Sequence, residues 1–180
     1  MHPQQWALVG INLVGGSLVL ASYVYGILTN PANRGAIWGG VPETIKPLYT
    51  VSMLLAAAGY LTFTYLVLFQ LDPEKVQILN RFDFKVFLFL YPLILIPSAL
   101  WMPFTFAMLE HPSSNLWWAI RIVLAIVGLA SLALLTALLG LDPREPQAAY
   151  WVAVAGSIAF CLQTALLDAL VWPVFFPFRS

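Results

Sequence analysis

The chain has 180 residues, is 61% hydrophobic and 9% charged, and carries no net charge at a mean hydropathy of +0.86. Soluble domains carry about 25% charged residues, so water is not the main solvent for this sequence. No basic run exists, which sets nucleic acid aside as a partner, and the single cysteine, Cys161, excludes an internal disulfide and Cys-pair redox chemistry.

A bilayer crossing needs about 20 mostly apolar residues. The N-terminal Met1-His2-Pro3-Gln4-Gln5 lacks the basic region of a cleaved signal, so the first apolar run reads as retained. That run extends over 6–28, with Gly10, Gly15, Gly16 and Ser17 as a small-residue face and Asn12 as an interhelical hydrogen-bonding residue. The second spans 47–69, starting at Pro47, a good first-turn residue, and passing through Ala56-Ala57-Ala58-Gly59, again suited to close packing. The third, 84–108, contains Pro92, Pro97 and Pro103, each of which removes a backbone donor and favours a kink. The fourth, 116–139, opens on Trp117-Trp118, an interfacial anchor. The fifth covers 148–172 and leaves a short tail to Ser180. Short links join the spans, and Gly140-Leu141-Asp142-Pro143 echoes Leu71-Asp72-Pro73.

The expected class is therefore an all-α integral membrane protein, a single domain over 1–180 built as a five-transmembrane-helix bundle. The segments are too long and too evenly apolar for barrel strands. Lys75, Arg81, Lys85 and Arg144 fall on the N-terminal face and Arg34, Lys46, Arg121 and Arg179 on the other, so the charge rule leaves the orientation open. The compartment is open as well. The longest interruption between apolar runs is Tyr25–Tyr49, whose linking part, 29–46, lies over one end of the bundle and is placed to gate a site.

Two ionisable residues fall inside predicted spans, where a charge is costly and marks a functional candidate. Arg121 sits about 9 Å into the fourth span at 1.5 Å per residue, and Asp168 lies near the end of the fifth. Both are expected at similar depth on the loop side. They form an ion pair or two polar anchors for a ligand; alternatively Arg121 snorkels to headgroups and Asp168 is a satisfied structural acid. Glu110-His111 on the same face is read as a surface turn and not as a metal site, because adjacent residues seldom point at one ion. Trp6, Trp117, Trp118, Trp151 and Trp172 lie near span ends, where an aromatic belt is expected. Trp101, between Pro97 and Pro103, is better placed to face an inter-helix pocket, with core packing the other reading. There is no HExxH, GxSxG, Walker loop or paired Cys or His set, so no motif supports an enzyme, and no cofactor or metal is expected.

The layout resembles the TspO/MBR family of tryptophan-rich sensory and translocator proteins. Five spans with the longest loop between the first two is that family's plan. Its first helix ends WYxxLxKP, and Val24-Tyr25-Gly26-Ile27-Leu28-Thr29-Asn30-Pro31 keeps Tyr25, Leu28 and Pro31. Its second helix begins WxxLY, matched by Leu48-Tyr49 after Ile45. Its NxxWSPLFF is partly kept by Trp101, Pro103 and Phe106, with Ser98 in place of the Asn. Its LNxxxW has the spacing of Leu167-Asp168 and Trp172, with Asp in place of Asn. The resemblance implies a dimer with a pocket under the first loop for porphyrins, sterols and other flat lipophiles, and candidate pocket residues Tyr25, Tyr49, Trp101, Phe106, Asp168 and Trp172. Val24 and Ile45 stand where the family has tryptophans, and the loop lacks the family's double proline.

The expected function is a membrane-embedded binding protein, receptor or transporter for a lipophilic small molecule of sterol or porphyrin type. Tyr25, Tyr49, Trp101 and Phe106 would bury the ligand, and Asp168, with Arg121, would fix its polar end. Two other classes stay open. One is a non-catalytic subunit of a larger membrane complex; the other is a lipid- or sterol-modifying enzyme or transporter using Asp168 as acid or base.

Overall fold

The computed structural model describes residues 1–31 and 34–176. Five helical rods carry the chain: α1 (Pro3–Thr29), α2 (Lys46–Tyr65), α3 (Lys85–Glu110), α4 (Ser114–Leu139) and α5 (Gln147–Cys161). Two of them run on in the wider π-helical winding, α2 through Leu66–Gln70 and α5 through Leu162–Val171, after which Trp172–Phe175 closes the fifth rod as an α-turn. All five rods are long and apolar enough to cross a membrane. Their ends lie within a few residues of the limits expected from the sequence. The three prolines of α3 do not divide it. Arg179 and the rest of the tail from 177 lie outside the described residues.

The ends are fixed locally. His2 caps α1: its Nδ1 accepts the Gln4 N–H at 3.2 Å, and its own N–H donates to Gln5 Oε1 at 2.8 Å. The buried Gln5 amide then donates to the carbonyls of Leu68 and Leu71, which the end of the second rod leaves without helical partners. Ser113 caps α4, its hydroxyl accepting from Leu116 N–H. At the other end of α4, Arg144 donates to the carbonyls of Leu139 and Leu141.

The two links on the N-terminal side are not pure loops. The echo between them is structural: β1 (Gln77–Ile78) pairs antiparallel with β2 (Leu141–Asp142), tying the second and fourth rods together. The all-α expectation did not foresee this ladder, because two-residue strands carry no periodicity to read. Beside it the Lys75 ammonium, hydrogen-bonded to Asp72, holds that exposed carboxyl below the usual carboxylate range.

Packing follows the small residues. α1 lies on α3, α3 on α4, α4 on the fifth rod, and α2 on α5. Gly15 faces Leu95 and Gly26 faces Met102 and Phe106 along the α1–α3 seam. At the α2–α5 crossing Gly59 and Gly156 meet backbone to backbone. Asn12 bridges two rods as expected, accepting the Tyr60 hydroxyl at 2.6 Å. One buried cluster, including Phe63, Phe84, Phe87 and Tyr91, fills the N-terminal half of the bundle. A second, built around Tyr49, Ile120 and Trp172, sits under the first loop. α1 and α2 are not packed along their length, and a cavity occupies the space between the two clusters.

Candidate functional site

The cavity measures about 770 Å³ and takes side chains from every rod. It follows α1 from Gly16 to Ile27, a length of about 16 Å at 1.5 Å per residue. Tyr60, Ile94 and Phe160 line its deeper part, while Ile37, Trp38 and Trp172 line it at the loop end. On α3 the lining residues Ser98, Trp101 and Met102 fall between Pro97 and Pro103.

The loop is held down as a cover. Ala36–Trp38 forms one 3-10 turn, and the Trp172 indole N–H donates to Ile37 carbonyl at 3.0 Å. Gly40 N–H donates to Phe175 carbonyl at 2.6 Å. Gly39 lies against the Phe176 backbone with φ +57°, a left-handed conformation that favours glycine. Trp38 meets Tyr49 edge-on at 6.1 Å between ring centroids. Arg34 lines the mouth, its Nε donating to the Ile27 carbonyl.

The polar groups converge at one end. Asp168 is half-buried and lines the cavity, and its Oδ1 accepts from Gln163 Nε2 at 2.7 Å. Residues five apart lie roughly 140° apart on an α-helix. The i→i+5 winding of Leu162–Val171 instead stacks Gln163 against Asp168. Tyr23, Trp101, Trp172 and Tyr49 line the same cavity; the rings of Tyr23 and Trp101 are 5.8 Å apart, and those of Trp101 and Trp172 6.0 Å. Two cavity-lining groups, Trp101 Nε1 and Gln163 Oε1, are buried without a hydrogen-bond partner among the described residues. The arrangement is an apolar slot closed at one end by a carboxylate, an amide and an aromatic collar.

No family model, no curated protein and no solved structure matches the chain.

Four sequence candidates, Tyr49, Trp101, Asp168 and Trp172, come together on the cavity wall. Trp172 leaves the interfacial belt for the interior and is only 3% exposed. Three candidates stand elsewhere. Tyr25 is 70% exposed on the outer surface of α1, because it sits about 160° around the helix from Tyr23, and Tyr23 takes the inward position. Phe106 is buried against Gly26 and not on the cavity; it lies about 140° around α3 from Trp101. Arg121 makes no ion pair with Asp168. It is exposed, with its guanidinium 5.3 Å from the Trp118 ring and 6.0 Å from Trp117, the geometry of a side chain lying along interfacial aromatics.

Sequence reasoning missed Tyr23, Trp38, Tyr60 and Gln163. Tyr23 was legible from helical spacing, since it follows Gly16 by seven residues and precedes Ile27 by four. Gln163 was not, because its partnership with Asp168 requires the π winding.

Proposed function

We propose that this chain is a multi-pass integral membrane protein that holds a lipophilic small molecule among its five helices, beneath the first loop. The observation that carries the reading is the cavity itself. At about 770 Å³ it falls in the range of about 300–1,000 Å³ typical of small-molecule sites, apolar walls with a few convergent polar groups. The aromatic collar offers stacking surface to a flat ligand. The gap between α1 and α2 offers a lateral route from surrounding lipid, and the tethered loop closes the aqueous end. A sterol or tetrapyrrole has the required flatness and apolarity, and the partial match to TspO/MBR motifs at Tyr49, Trp101, Pro103 and Trp172 favours the same ligand class and a homodimer.

The test is a titration of the purified protein in lipid nanodiscs with a panel of sterols and porphyrins, read by quenching of cavity tryptophan fluorescence. Saturable binding that Trp101→Phe and Asp168→Ala both weaken is the expected result. Failure of every flat lipophile to bind saturably removes the reading. It would turn attention to a partner-bound subunit, although Asp168 faces the interior and so does not serve a helix–helix contact with another chain.

A further inference from the structure

Asp168 is a carboxylate facing an apolar cavity, and among the described residues no cation lies within ion-pair distance of it. Carboxylates removed from water are ordinarily paired, because desolvating a lone ion is costly. The single hydrogen bond from Gln163 occupies one of the two carboxylate oxygens. Gln163 is itself only 5% exposed, and its Oε1 is buried with no donor among the described residues. The second Asp168 oxygen is the acceptor left to a ligand on this wall.

The rings of the cavity point the same way. Tyr23, Tyr49, Trp101 and Trp172 line the same cavity as Asp168, with Tyr23 against Trp101 and Trp101 against Trp172, and Trp38 meets Tyr49 edge-on. Aromatic rings beside a carboxylate offer the chemistry of an ammonium cage, because ring quadrupoles attract a cation. Neither a neutral sterol hydroxyl nor an anionic headgroup makes the charge-assisted contact with Asp168 that an ammonium makes. Arg34 is the other charged group lining the cavity. It reaches the cavity from the loop, its Nε donating to the Ile27 carbonyl at 2.8 Å, and makes no ion pair with Asp168 among the described residues.

From this juxtaposition of carboxylate and rings we infer that the cavity is selective for lipophilic amines. The ammonium group of the ligand sits against Asp168 within the aromatic collar, with Gln163 holding the carboxylate in place, and its apolar body runs along α1 toward Gly16. This deepens the proposed function and rests on it: the same cavity is assigned a ligand with a cationic end.

The experiment compares 1-pyrenemethylamine with 1-pyrenemethanol, which share a flat apolar body and differ in the cationic end. Binding to the full chain in zwitterionic nanodiscs is read by energy transfer from tryptophan, with empty discs subtracting partition into lipid. The wild type is expected to bind the amine at least about tenfold tighter, a difference of about 1.4 kcal/mol. Asp168→Asn, nearly isosteric, is expected to erase that preference by weakening the amine while leaving the alcohol unchanged. Gln163→Leu should lower amine affinity severalfold in the same selective way, giving a second readout should Asp168→Asn not fold. If the alcohol binds saturably with equal or higher affinity, or if Asp168→Asn weakens both probes alike, the amine inference is overturned while the cavity reading stands. If neither probe binds saturably, both fall.

Discussion

Glycine sets the scale of the closest contact in this molecule. A Cβ added to Gly59 would come to 2.8 Å from the carbonyl carbon and 3.0 Å from Cα of Gly156, and both are backbone atoms that cannot move aside alone. Gly10, by contrast, has open space around its missing side chain. Gly59→Ala is therefore expected to destabilise the protein by about 1–3 kcal/mol, as overpacking does, while Gly10→Ala leaves it unchanged or slightly more stable. Thermal unfolding in detergent measures both, and equal behaviour of the two variants would refute close α2–α5 contact. The same scale explains why the site was only half legible. Tyr49, Trp101, Asp168 and Trp172 stood out as aromatic or charged residues in apolar runs. Tyr25 and Phe106 did too, but matching a motif by position says nothing of helical phase, and phase turned both away from the cavity.

At the scale of elements, the long helices were readable because some 20 apolar residues leave few alternatives in lipid. The π segment Leu162–Val171 was not, since apolar residues on every side of the rod hide a change of winding. It nevertheless builds the site by bringing Gln163 under Asp168 and setting Trp172 against the loop. The loop was legible as a long polar break, but its attachment was not, because Trp172 and Ile37 are separated by 135 residues. That attachment is testable. Trp172→Phe keeps an aromatic ring, though a smaller one, and removes one indole hydrogen bond worth about 0.5–1.5 kcal/mol. Amide exchange across Ala36–Val41 should then quicken by roughly two- to tenfold, with α4 amides unchanged. Unaltered exchange in the loop would show that the indole hydrogen bond does not hold the cover.

For the whole molecule, the arrangement divides labour between two halves. The half nearer the N-terminus is solid, packed with Phe63, Phe84, Phe87 and Tyr91 and stitched by the β1–β2 ladder and the Gln5 amide. The half under the loop is hollow, framed by aromatic side chains and closed by hydrogen bonds from the loop to the fifth rod. Rigid walls beside an open interior are what a preorganised binding site requires, because ligand affinity then is not spent on ordering the protein. The measurement that tests this most directly is to fill the hollow. Ala57 lines the cavity from α2, and Ala57→Phe places a ring inside it without touching the loop tethers. The account predicts a variant at least as thermally stable as the wild type that has lost saturable binding of pyrene-bodied ligands by tenfold or more. A variant that folds and still binds them with wild-type affinity would contradict the claim that this cavity is the site.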